Sequence, residues 1–155
     1  MGQYQSFSQV LSCSLSVALG GALGAMLRYG IACCFQSFYT TYFSALWAWF
    51  HPVPAAVATL AANLTGCLLI GWLLGALGGN QSLTVPFSTL SPQARLFIVT
   101  GFLGALTTFS SYILEAALLT KHGNWDKAVA YALGSLVLGS LILWMGYKLG
   151  KLTPL

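Results

Sequence analysis

Charge is what this sequence has least of. Of 155 residues, six are Lys or Arg and two are acidic, Glu115 and Asp126, so charged residues make up 5% of the chain. A soluble domain carries about a quarter of its residues as charges, so a water-facing surface cannot be assembled from this composition. No run of basic residues occurs, which removes the clustered positive face that a nucleic-acid partner requires. The only histidines, His51 and His122, fall in predicted loops, and the two acids do not cluster with them. Hydrolytic and transferase sites need convergent acids, bases or metal ligands, so the chain does not read as an enzyme. Cysteine is scarce as well: Cys13, Cys33, Cys34 and Cys67 lack paired metal-ligand spacing and read as free, buried thiols. The first thirteen residues contain no Lys or Arg. Without the positive segment of a cleavable signal peptide, residues 1–13 read as a short retained extension.

What the chain has is apolar sequence. Hydrophobic residues make up 57% of it and the mean hydropathy is +0.80, which marks an integral membrane protein of all-α class. Its length accommodates about four spanning helices of roughly 20 to 25 residues. The apolar segments predict spans at about 14–35, 54–78, 93–119 and 125–147 in one domain, 14–150, followed by a tail at 151–155. The second is entered through His-Pro-Val-Pro at 51–54, where proline suits a helix start. The aromatic stretch at 35–50 favours the headgroup zone and reads as an interfacial segment.

Glycines recur at helix-packing intervals: Gly20, Gly21 and Gly24; Gly71 and Gly75; Gly146 and Gly150. Small residues at that spacing let helices approach closely in lipid. Four spans put Arg95, Lys148 and Lys151 on one side and Lys121 and Lys127 on the other, joined by Arg28 if it snorkels. This balance sets no orientation by the positive-inside rule. The chain either inserts both ways and pairs as an antiparallel dimer, or takes one orientation for reasons outside its charge.

Within span three, residues 101–111 read GFLGALTTFSS. Glycine weakens a helix, and Thr and Ser hydroxyls compete for backbone groups. Two arrangements fit: an unwound segment near mid-membrane that offers carbonyls or N–H groups to an ion, or an unbroken small-residue packing face. Rare polar residues stand elsewhere in the spans: Arg28 in span one, Asn63 in span two, Glu115 in span three, and Tyr131 and Ser135 in span four. Such groups are expensive in a membrane and mark pathways or sites by default. Taken singly, Asn63 also suits an interhelical hydrogen bond, Arg28 suits snorkelling, and Glu115 suits a partner in Arg28 or a helix end. Phe109 and Tyr112 share one helix face, and aromatic ring edges attract an anion without adding fixed charge.

The stretches GGALGAMLRYG at 20–30, TLAANLTGCLLIG at 59–71 and GFLGALTTFSSYILE at 101–115 resemble, in order and spacing, the Fluc or CrcB-like fluoride channels. The resemblance implies a four-helix channel in a plasma membrane or bacterial inner membrane. It further implies an antiparallel dual-topology homodimer, a third helix broken near mid-membrane, passive fluoride export through two pores, and a sodium ion at the dimer centre. On this basis Gly104 and Thr107 offer backbone carbonyls to sodium. Phe109 matches the first pore aromatic and Asn63 the polar residue of helix two. Thr108 and Ser110 belong to the polar track, with Ser111 counted on the same pathway. Tyr131 and Ser135 match the hydroxyl positions of helix four, and Arg28 and Glu115 the charged residues of helices one and three.

Three positions depart from the pattern. The family's usual second phenylalanine is Tyr112, whose phenol would bond fluoride or occupy its path. The Gly-Gly of helix three is Gly104-Ala105. Gly139 stands where a further hydroxyl is often found, with Ser140 adjacent and facing elsewhere. The alternative function is a proton-coupled transporter of the small multidrug type, which works on a membrane carboxylate usually in the first helix. Here Glu115 would have to serve, since Asp126 reads as a cap on helix four.

Overall fold

A computed structural model describes residues 6–39, 54–77, 87 and 89–153. The expected interfacial stretch beyond residue 39, the turn at 51–53, and both chain ends at 1–5 and 154–155 lie outside the described residues. Within them the chain is all-helical, without strands, and has four helical stretches long and apolar enough to cross a membrane. It is a multi-pass membrane protein.

Helix α1 is Phe7–Phe38. It begins inside the segment read as an extension because Ser6 caps it: Gln9 N donates to Ser6 Oγ at 3.4 Å and Ser6 N to Gln9 Oε1 at 3.1 Å. The serine and the glutamine three residues on satisfy two otherwise orphaned backbone donors, which is the sequence signal for this start. At 32 residues the helix is about 48 Å long by its rise, well over the bilayer's apolar thickness. Helix α2 is Pro54–Leu77, with proline at its first position, where its missing N–H costs nothing.

The third stretch is composite. Helix α3, Pro92–Arg95, is capped by the Ser91 hydroxyl, which accepts from Ala94 N at 3.2 Å. A wide π-helical segment, Leu96–Leu103, leads into the short helix α4, Gly104–Leu106. Thr107 (φ −88°, ψ 155°) and Thr108 (φ −148°, ψ 125°) are extended, and helix α5 follows at Phe109–Lys121 with Thr108 as its N-cap. A tight turn at Gly123, φ 75°, where a side chain would be strained, returns the chain into helix α6, Trp125–Leu152.

Two glycine seams hold these helices together. Gly71 and Gly75 of α2 face the carbonyls of Leu143 and Tyr147, while Gly146 and Gly150 of α6 face those of Leu68 and Trp72. A methyl at any of the four would overlap the opposing backbone. Gly20 and Gly24 of α1 meet Phe97 and Phe102 of the π-helical segment in the same way. Lipid provides no hydrophobic drive to press helices together, so dispersion at such close range takes its place. The expected spacings therefore mark real seams, except at Gly21, where an added methyl would lie 4.0 Å from the Gly101 carbonyl oxygen, an ordinary contact.

The outward surface is apolar, with Leu15, Leu19 and Leu23 on α1 and Leu133, Val137 and Leu141 on α6 all exposed. Cys33 and Cys34, expected to be buried, are exposed on α1 as well. At the end of α6, Lys148 Nζ lies 5.2 Å from the Trp144 ring and Lys151 Nζ 4.8 Å from the Tyr147 ring. Aromatic bodies with cationic tips suit the membrane interface.

Candidate ion pathway

Asn63 organises the polar centre of the protein. Its Oδ1 accepts the Thr108 N–H at 2.8 Å and its Nδ2 donates to the Thr108 carbonyl at 3.1 Å. In an unbroken helix the Thr108 N–H would close on the Gly104 carbonyl four residues back. The Asn63 amide replaces that bond, so the extended pair keeps its backbone satisfied and the Gly104 carbonyl is released from the ladder.

The local sequence supports the same geometry. Thr107 N and Thr107 Oγ1 both donate to the Leu103 carbonyl, at 3.1 and 3.0 Å, closing off the preceding helix. Thr108 Oγ1 accepts from Ser111 N at 3.3 Å, donates to Ser111 Oγ at 3.3 Å, and lies 3.2 Å from Ser110 Oγ. A threonine at the N-cap thus starts α5 and gathers three hydroxyls at one point.

A cavity of about 560 Å³ opens beside this centre. Asn63, Gly104, Thr107, Thr108, Phe109, Tyr112 and Ser135 line it, among largely apolar neighbours. Phe109 is 73% exposed and Gly104 is exposed, so this wall is open on its outer side in the single chain. Ser110, Ser111, Tyr131, Glu115 and Arg28 are not in its lining. Ser140, expected to face elsewhere, does line it, beside Gly139.

Rings continue the row. Phe109 and Tyr112 have centroids 5.7 Å apart, and Tyr112 and Tyr131 5.5 Å apart, both tilted. The Tyr112 phenol, on a ring that lines the cavity, donates to the Ala132 carbonyl of α6 at 2.9 Å. Ser135 Oγ donates back to the Tyr131 carbonyl at 2.6 Å.

Glu115 is buried, and the expected pairing with Arg28 or a helix end is not what the fold provides. Thr59 Oγ1 donates to Oε1 and Tyr131 OH to Oε2, each at 2.7 Å. The reason is placement: α5 packs against both α2 and α6, whereas α1 packs on the π-helical segment, α2 and α4. Both are short side-chain hydrogen bonds, one to each carboxyl oxygen. Thr59, which the sequence reading passed over, sits one turn before Asn63 on α2, and that i, i+4 spacing is the signal for it. Among the described residues no buried side-chain polar atom lacks a partner.

The fold and this site define a small helical membrane protein with an uncharged polar centre set against aromatic rings. A family model described as "CrcB-like protein, Camphor Resistance (CrcB)" matches residues 15–147. The chain belongs to this family. Curated relatives that carry the name "Fluoride-specific ion channel FluC" match most of the chain, and three of them illustrate the likeness. That of Stutzerimonas stutzeri is 39% identical over 143 residues, covering 92% of this chain and 100% of the relative. That of Acidobacterium capsulatum is 40% identical over 137 residues, 88% and 94% of the two chains. That of a Thermus thermophilus strain is 42% identical over 136 residues, 88% and 91%.

Proposed function

We propose that this chain is a passive, fluoride-selective channel that releases fluoride from the cytoplasm across a plasma membrane or bacterial inner membrane. The observation that carries the reading is the Asn63 clamp on Thr108, which holds extended backbone open beside a cavity walled by Phe109 and Tyr112. The names of the curated relatives point the same way.

In this reading the third helix is broken near mid-membrane, since Thr107 and Thr108 stand halfway along Pro92–Lys121. The functional unit is an antiparallel homodimer in lipid, supported by the balanced charges and by the exposure of Phe109 and Gly104 in one chain. Sodium would be held at the dimer centre by the Gly104 and Thr107 carbonyls, and the Gly104 carbonyl, freed from the helix ladder, fits that task. The ion would supply a fixed positive charge between the two copies.

Fluoride enters as a tightly hydrated anion, and the path must replace its water. Asn63 uses one amide proton on Thr108 and retains another for an anion. Thr108 and Ser135, which line the cavity, contribute hydroxyls that can rotate towards it, Ser110 and Ser111 back the Thr108 hydroxyl, and the Phe109 and Tyr112 rings contribute positive edges. Tyr131 supports the pathway through its ring beside Tyr112 and its hydroxyl bond to Glu115, and Arg28 and Glu115 act as structural charges. Hydrogen fluoride crosses membranes neutral and dissociates in a less acidic cytoplasm. A negative-inside potential then drives the anion out with about 2.3 kcal/mol per 100 mV, so no energy coupling is required.

The proton-coupled alternative needs an available carboxylate, and both Glu115 oxygens are occupied by hydroxyl donors. The deciding experiment is fluoride efflux from liposomes holding the purified protein, read by electrode after a potassium ionophore releases the counter-charge. Rapid fluoride release with chloride retained is expected. Retention of both ions would reject the channel.

A further inference from the structure

Asn63 and Gly66 lie three residues apart on α2 and so share one face of it. Asn63 holds the Thr108 peptide by two hydrogen bonds. Gly66 is buried, and a methyl built on it would overlap Thr107 Cγ2. We infer that Gly66 is a positioning residue of the ion pathway: it is the seat for the Thr107 methyl and sets how closely the extended pair rests on α2.

The inference rests on how Thr107 is fixed. A β-branched side chain has few χ1 choices. The Thr107 Oγ1 bond to the Leu103 carbonyl, at 3.0 Å, selects one of them, and that choice directs Cγ2 at Gly66. The methyl cannot swing aside without giving up this bond. Hydrogen bonding by Asn63 and the bare backbone of Gly66 therefore grip neighbouring residues from one helix face. Any side chain at Gly66 would push Thr107 away from α2 and drag on the Asn63 clamp. Gly66 differs in this from the seam glycines: Gly71, Gly75, Gly146 and Gly150 meet helix backbone, whereas Gly66 meets one methyl, so its effect is removable by a second substitution.

That property supplies the test, which builds on the proposed fluoride conduction but does not depend on it alone. Wild type, Gly66→Ala, Thr107→Ser and the double variant are purified as full chains and compared by liposome fluoride efflux. In parallel, amide hydrogen exchange is followed across residues 103–110. Serine keeps the hydroxyl for Leu103 and deletes only the methyl. Alanine is a better helix former than glycine, so a loss on Gly66→Ala opposes propensity and reports the clash. The expected result is at least tenfold slower efflux and faster exchange at Thr108 in Gly66→Ala, with the double variant returning to within about threefold of Thr107→Ser on both readouts. If Gly66→Ala yields no folded protein, recovery of folded protein in the double variant carries the same meaning. A Gly66→Ala protein like wild type, or a double variant no better than Gly66→Ala, would overturn the inference. An inert wild type rejects fluoride conduction, and the exchange data then decide the role of Gly66 by themselves.

Discussion

Asn63 and Thr108, 45 residues apart in the chain, pair as two strands would: one N–H···O bond in each direction, 2.8 and 3.1 Å, between a side-chain amide and a backbone peptide. Removing the amide takes the partner from both Thr108 backbone groups, which are part-buried. Each orphaned group costs about 1–3 kcal/mol. Asn63→Ala is therefore expected to abolish fluoride efflux and to lower the thermal unfolding temperature in detergent. Asn63→Asp, which keeps the acceptor but turns a like-signed oxygen towards the Thr108 carbonyl, is expected to lose flux as well. Normal flux in either variant would show that the clamp does not shape the path.

Tyr112 provides a contrasting test. Its phenol is bound to the Ala132 carbonyl, so Tyr112→Phe removes one hydrogen bond between α5 and α6 and leaves the ring in the wall. The expected loss is about 1 kcal/mol of stability, with fluoride efflux within a few fold of wild type. A large fall in efflux would mean that the hydroxyl leaves Ala132 during conduction.

Glu115 separates passive from proton-coupled transport. Glu115→Gln keeps the shape and an acceptor, so the channel reading expects continued efflux with no dependence on a proton gradient. A transport rate that collapses in Glu115→Gln would favour coupling through this carboxylate. Tyr131→Phe deletes a donor to the same group, and a hydrogen bond contributes about 0.5–1.5 kcal/mol. Its melting temperature should fall by less when Glu115→Gln is already present, since the two side chains share one interaction.

The α2–α6 seam sets a stability expectation. Gly146→Val places a branched side chain against the Leu68 carbonyl and the Trp72 amide, neither of which can move without moving the helix. Poor recovery of monodisperse protein is the expected outcome by size-exclusion chromatography, against good recovery of Tyr112→Phe. A well-behaved Gly146→Val protein would show that the seam is looser than its geometry.

Much of the architecture follows from local chemistry. Lys and Arg are too few to interrupt the apolar runs, so the four spans stand out along the chain. Gly71, Gly75, Gly146 and Gly150 announce their seams because only glycine tolerates backbone at that range. Asn63 stands out as an amide in an apolar span, Thr108 as part of a polar cluster and Phe109 as a ring sharing a face with Tyr112, and the fold brings all of them to the lining of one cavity.

Residue order and composition thus carry the class of protein: helices, lipid, close packing, and a small set of polar residues too costly to be idle. Which of those residues meet is a property of the packed helices. Glu115 binds Thr59 and Tyr131 and not Arg28 because α5 packs against both α2 and α6. The Tyr112 hydroxyl turns to Ala132 because α6 brings a carbonyl within reach. Hydropathy and spacing act along one helix, whereas hydrogen-bond partners 16 to 56 residues apart are chosen by how the helices pack.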